Sequence, residues 1–215
     1  MRNIVQVLSA ATSFDLTTVE DANAYLGLTP STNGDIMLAA EITAASQIIA
    51  SQCDRTFAKE QVTQTFLMRF GEGIQSLVLE RIPIVSISGV DDNGQVLSAT
   101  DYDYDPVKGI IWRRCSYTDW NWWSFYSSRV AVTYEGGYNL PDGAPADLEM
   151  ACLALIKEQR FAQKRGDPTI RSLQHADSAV FYQQGSQAFA IGQGALPPSV
   201  QQLIAPYRLP AVGYA

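Results

Sequence analysis

The sequence predicts an α+β protein that is mainly helical. It reads as a helical bundle of about three core helices, with a small antiparallel β-sheet inserted between the second and third helices and an extended C-terminal arm. Three observations predict this class. Apolar residues recur at helical spacing through residues 17–55 and again through 145–165. The period falls to two across residues 61–135, and from residue 166 onward both charge and pattern fade. The expected organisation is therefore a core domain over 1–165 and an arm over 166–215 that carries a short terminal helix.

The first helix is expected over 17–28. Thr17-Thr18-Val19-Glu20 reads as a capping box, in which Thr17 accepts from early amides and Glu20 reaches back to the amide of Thr17. Val19, Ala22 and Leu26 follow at helical spacing, and Gly27 suits the stop. After a loop over Pro30–Gly34, Asp35 favours the positive end of a second helix, 35–55. Leu38, Ile42, Ala45 and Ile49 give it one core-facing stripe, and it should end near Asp54 or Arg55. The third helix, 145–165, opens with Pro145 at its first position, where a missing N–H is no loss. From Met150 to Ile156 it is apolar on nearly every side, which places it at the centre of the core. Lys157, Arg160, Lys164 and Arg165 then suit the negative end of its dipole.

Between these helices, residues 62–70 and 76–80 read as strands separated by Gly71-Glu72-Gly73, and Ile84–Val90 as another. Asn93-Gly94 is a hairpin signal, because both turn positions want positive φ. Tyr102 and Tyr104 alternate with Asp101, Asp103 and Asp105, giving a strand with one acidic face. Pro106–Gly109 turns the chain into Ile110-Ile111-Trp112, and Val130, Val132 and Tyr134 mark the last strand.

Composition bounds the function. The net charge of −7 is a poor start for gripping phosphates, which takes Lys and Arg, so a DNA-binding role is disfavoured. Acidity suits ordinary solubility, and equally a surface past which DNA slides. Cys53 and Cys152 fall among apolar helix neighbours and read as small buried hydrophobes; no C-x-x-C occurs. No signal peptide and no membrane span of roughly 20 apolar residues is expected, so the chain reads as made in a reducing cytoplasm. One histidine, His175, rules out H-E-x-x-H, and the glycine-rich phosphate cradles are missing. No cofactor and no metal is expected. Asp101, Asp103 and Asp105 fail the EF-hand pattern, because its glycine and glutamate places hold Pro106 and Trp112.

Two surfaces remain as candidates. The run Trp120-Asn121-Trp122-Trp123-Ser124-Phe125-Tyr126 either folds back to cap the sheet or anchors a protein interface, with ligand stacking the least favoured reading. The residues offered as a partner interface are Trp120, Trp122, Trp123, Phe125 and Tyr126, joined in the arm by Phe181, Tyr182, Leu203, Ile204, Tyr207 and Arg208. Arg113 and Arg114 either meet a partner's acids or flank the loop. Asp101, Asp103 and Asp105 most simply face solvent; if they face a lumen, they would repel DNA.

The order of these pieces resembles the head–tail connector (adaptor) proteins of tailed bacteriophages and related particles. The similarity runs from Leu16 to Leu28, through Leu38–Phe57 with its Cys53-Asp54-Arg55-Thr56-Phe57 end, and through Leu77–Ile87, a strand, a proline turn and a strand. It continues in Asp101–Asp105, Val130–Tyr138 and the helix start Pro145-Ala146-Asp147-Leu148, covering about residues 16–165. The resemblance implies a non-catalytic virion protein at the neck. It would form a homo-oligomeric ring, typically dodecameric, under the portal protein, extend the channel for double-stranded DNA, and offer a platform to a stopper or tail protein. The rivals are another neck protein, a stopper or tail terminator; a small enzyme built on Asp101, Asp103 or Glu135; and a host-encoded adaptor domain.

Overall fold

Strands and helices interleave along the chain of the computed structural model, which describes residues 2–68, 74–115, 119–121, 123, 129–165, 172–175, 178–181 and 196–208. The chain divides into two units that each draw on separated segments: a sheet unit from residues 1–14 and 55–143, and a helical unit from residues 15–54 and 144–215.

The sheet unit is built on β1 (Arg2–Ser9), β2 (Glu60–Leu67), β4 (Ile84–Asp92), β5 (Gln95–Val96) and β9 (Arg129–Gly136), in the antiparallel order β1-β2-β9-β4-β5. The central β9 buries Val130, Val132 and Tyr134, and β2 answers with Val62, Gln64 and Phe66 on the same face. Each large apolar side chain so buried contributes roughly 1.5–3 kcal/mol. A second antiparallel sheet holds β3 (Ser76–Val78), β6 (Tyr102–Asp105), β7 (Ile110–Cys115) and β8 (Asp119–Asn121), with β7 in the middle. Leu77, Ile111 and Trp123 join the core of the first sheet. The chain changes sheets between β3 and β4, across the cis Ile82–Pro83 bond.

Turn chemistry fixes the registers. Asn93 (φ 56°) and Gly94 (φ 89°) make the β4–β5 turn, and the Asp91 carboxylate accepts from the Gly94 amide at 2.9 Å. Gly137 (φ 107°) ends β9 where a Cβ would lie 2.4 Å from the Ala58 carbonyl oxygen, so only glycine fits there.

In the helical unit, α1 (Val19–Leu26) is capped by Thr18, whose hydroxyl accepts from the Asp21 amide at 3.1 Å. The cap is thus one residue later than the Thr17–Glu20 box predicts, and Thr17 instead donates to Glu149 at 3.3 Å. Gly27 closes α1 at φ 64°. α2 (Thr32–Cys53) begins under a Ser31 cap, before Asp35, and ends at Asp54. Its buried residues Leu38, Ile42, Ala45, Ser46, Ile49 and Cys53 lie on one stripe. By length and a mean hydropathy of 1.2, α2 could cross a membrane, contrary to the expectation that no segment could. A third of that stretch is buried, in the pattern of a core helix.

α3 (Ala146–Arg165) packs against α1, α2 and α4 (Pro198–Ile204). Three neighbours explain why it is apolar nearly all round: Leu148, Ala151, Cys152, Leu155 and Ile156 are buried, while Met150 is exposed. α4 buries Val200 and Ile204, and a 3₁₀ turn, Ala205–Tyr207, follows it. The remaining element is a hairpin of β10 (Ser172–His175) and β11 (Ser178–Phe181), paired with each other as a separate sheet.

The expected fold class needs correction. The chain is not a mainly helical bundle with a small insert, because its strands form two antiparallel sheets with their own large core. Two physical causes hid this. β1 shows no clean alternation in Ile4-Val5-Gln6-Val7-Leu8, since it is exposed along nearly its whole length. The mid-chain strands are short, so nothing local reveals that they belong to two sheets rather than one.

Candidate interaction surfaces

The acidic strand β6 alternates as its sequence predicts. Tyr102 and Tyr104 pack against the core of the sheet unit, and Asp101, Asp103 and Asp105 are half-buried. Two of these carboxylates are occupied in holding turns. Asp101 accepts from the Ser98 hydroxyl at 2.7 Å and from the Ser98 amide at 2.9 Å, and these bonds, the hydroxyl's first, hold its carboxyl below the usual range. Asp105 accepts from the amides of Val107 (2.9 Å) and Lys108 (3.0 Å); the Lys108 amide is the main cause of its lowered pKa. Asp103 accepts from the neighbouring Tyr104 amide at 2.9 Å. Hydrogen bonds to the charged form keep Asp101 and Asp105 ionised. Among the described residues, no group of three or more His, Cys, Asp or Glu side chains could hold a metal ion.

The aromatic run divides. Trp123 is fully buried in the sheet core, its amide donating to the Ile74 carbonyl at 2.8 Å. Trp120 lies on β8, opposite Arg114 of β7. Trp122, Phe125 and Tyr126 fall outside the described residues. Arg113 is engaged within its own chain, ion-paired with the buried Asp92, whereas Arg114 is exposed.

In the arm, Phe181 closes β11 opposite Ser172, and Tyr182 lies outside the described residues. Ile204 is buried in the helical unit, where its carbonyl meets the Cys53 thiol at 3.9 Å. Leu203 and Tyr207 are half-buried and Arg208 is exposed. His175 lies on β10. The carboxylates weighed for an acid–base site are not gathered: Asp101 and Asp103 belong to the second sheet's strand region, and Glu135 of β9 is ion-paired to Lys59 at 3.3 Å.

Two surfaces went unread in the sequence. One is a groove of about 650 Å³ among α1, α2 and α3, where Tyr25, Leu28, Met37 and Phe161 stand exposed beside the Glu41–Arg160 ion pair (2.6 Å). Lys157 lies 5.6 Å from the Tyr25 ring centre, within cation–π reach. The other is β1, whose Ile4, Val7 and Leu8 are exposed. An apolar cluster within eight N-terminal residues was the available signal for β1. The groove gave none, because it arises only when three helices meet.

No curated protein sequence matches the chain. Solved structures share its fold along nearly the full length of both chains. A chain in the neck of an empty gene transfer agent particle, computed with C6 symmetry, matches at TM-score 0.55 and 16% identity over 98% of each chain. A chain in the virion of the native gene transfer agent particle matches at 0.56 and 16%, again over 98% of each. One in the neck of the native particle, computed with C12 symmetry, gives 0.54 and 14% over the same coverage. The family model that matches is that of the head completion protein, and it spans residues 15–209. Both units contribute to that span, and on this evidence the chain belongs to the head completion protein family.

Proposed function

We propose that the chain is a structural protein of the neck of a tailed phage or phage-like particle, and that it works by assembly and not by catalysis. The observation that carries this reading is the family match over residues 15–209; the fold shared with chains of gene transfer agent particles, two of them necks, supports it. Within the neck, the finer proposal is an adaptor: a homo-oligomeric ring, of twelve copies by analogy with the C12 neck, under the portal protein and above a stopper or tail protein.

In such a ring β6 supplies the channel wall. Asp101 and Asp105, held ionised by their turn hydrogen bonds, and Asp103 between them give a surface that repels the phosphates of passing double-stranded DNA. The arm, residues 166–215, supplies portal contacts, with the exposed Arg208 and the half-buried Leu203 and Tyr207 at its helical end. The family's own description favours a second position in the same neck, a head-completion or stopper protein distal to the adaptor.

Electron microscopy of the purified chain, alone and mixed with the portal protein of the same genome, separates these positions. A ring stacked directly on the portal's narrow end supports the adaptor. A ring that joins only when a further neck protein is present supports the distal position. Portals left bare in both mixtures, with the chain absent from particles, overturn the neck reading.

A further inference from the structure

β1 is an edge strand of eight residues, with β2 as its one strand partner among the described residues. Proteins blunt such edges with lysine, proline, bulges or very short strands, because an open row of N–H and C=O groups invites pairing. The opposite edge of the same sheet carries these devices: β5 is two residues long, and β4 is irregular between Ile84 and Ser86 and between Ile87 and Gly89. β1 runs in regular register from Arg2 to Val7, with one irregularity at its end between Val7 and Ser9, and it contains neither lysine nor proline. Val5 packs on the sheet core, yet Val7, on the same face, is 44% exposed. A further strand beside β1 would cover it.

The hairpin β10–β11 is incomplete in the complementary way. Its four-residue strands pair only with each other among the described residues. A two-stranded hairpin is marginal in water, and a third strand is what normally makes it persist. Leu173 stands opposite Val180 in its register, and its strands also lack lysine and proline.

We propose that these two elements complete each other between copies: the β10–β11 hairpin of one copy adds to the free edge of β1 in the next. This rests on the neck-ring reading above and names the contact that closes the ring. Main-chain hydrogen bonds supply the adhesion, and the bare Val7 and Leu8 supply apolar cover. The donated and receiving elements are different surfaces, so the contact is head-to-tail and each copy both gives and receives, which is how a closed ring is built. Pairing of β1 with another β1 would be used up after two copies.

Photo-crosslinking in assembled particles tests this, with benzoylphenylalanine replacing Val7. The expected product is a dimer of this chain on a denaturing gel, with the crosslink mapped to residues 172–181. A variant with residues 172–181 replaced by a Gly-Ser linker should lose that dimer while keeping its circular dichroism spectrum. A crosslink within one chain, to another β1, or to a different protein overturns the proposal, as does a chain present in particles without any crosslink. A chain absent from particles removes the neck reading first and, with no ring to close, this exchange as well.

Discussion

Among the described residues, the sheet unit buries charge and the helical unit buries almost none. In the sheet unit, the Tyr134 hydroxyl donates to Gln64 Oε1 at 2.9 Å and accepts from the Arg81 amide at 3.0 Å. Gln64 also accepts from the Glu80 amide and donates to the Val78 carbonyl, and the Arg81 guanidinium meets the buried Glu60 at 2.9 Å. This network pins the segment between β3 and β4, where the chain changes sheets and has no ladder of its own. Among the described residues of the helical unit the buried polar groups are Thr17, Asn23 and Ser46, all uncharged. Ser46 accepts from the Leu16 amide at 3.0 Å and touches the Cys152 thiol at 3.7 Å. Regular helices satisfy their own backbone, so their packing needs only shape. Short strands joined by long loops need polar side chains to hold what the ladder leaves open.

Convenient probes divide along the same line. All four tryptophans (112, 120, 122 and 123) and Cys115 lie in the sheet unit, and Cys53 and Cys152 in the helical unit, so a Cys115→Ser background confines the thiol probe to the helical unit. The largest effect should come from Leu155→Ala on α3, which leaves a cavity and costs about 3–4 kcal/mol. In urea titrations, thiol protection should be lost well before tryptophan fluorescence changes; coincident loss would mean the units unfold as one. Among the described residues, Glu60→Gln leaves the Arg81 guanidinium with the more exposed Glu80, at 3.7 Å, as ion partner. The expected cost is about 2–3 kcal/mol, below the usual range for a broken buried pair because Glu80 remains. It should appear in the fluorescence transition and leave thiol protection unmoved.

Alkali should separate the units without mutation. Burial pushes the Cys152 thiol up to about 11 and the Tyr134 phenol up to about 12. Both folded values exceed the unfolded ones, so each contribution is fully present below the unfolded pKa and lost as pH rises through the folded one. The helical unit should therefore weaken from pH 9 toward 11 and the sheet unit from pH 10 toward 12, each by about 2–3 kcal/mol. Thiolate and phenolate absorbance would follow the two steps, and a reversed order would contradict the burial argument. The smallest effect belongs to Thr18→Ala, which removes the α1 cap for about 1 kcal/mol. Thr17→Ala should not disturb that cap, and matched thermal melts would show whether the capping residue is the second threonine.

Much of the helical unit was legible because its signals are local. The Leu38–Ile49 stripe, the Gly27 stop and the apolar Met150–Ile156 stretch each act within a few turns. Asn93-Gly94 and Pro106–Gly109 were legible for the same reason, as turns declare themselves in two to four residues. What was hidden depends on distant partners. β1 pairs with a strand more than fifty residues away and keeps both its faces largely exposed, so no hydrophobic alternation was needed. Trp123 read either as a cap on the sheet or as an interface anchor, and the bridge to Ile74 shows it paired within the sheet unit. Of the acidic strand, the alternation was visible, but the turn-holding of Asp101 and Asp105 depends on the loops at either end.

The sheet unit takes its first strand from the start of the chain and its middle strand, β9, from residues 129–136. A ribosome adding about 5–20 residues per second makes β1 wait for roughly 6–25 seconds before β9 leaves the exit tunnel. Over that interval β2 has one neighbour rather than two, and the two-strand ribbon it forms with β1 carries bare valine and leucine into a crowded cell. Chaperone capture should therefore concentrate on nascent chains from which β9 has not yet emerged and fall away once β9 has docked.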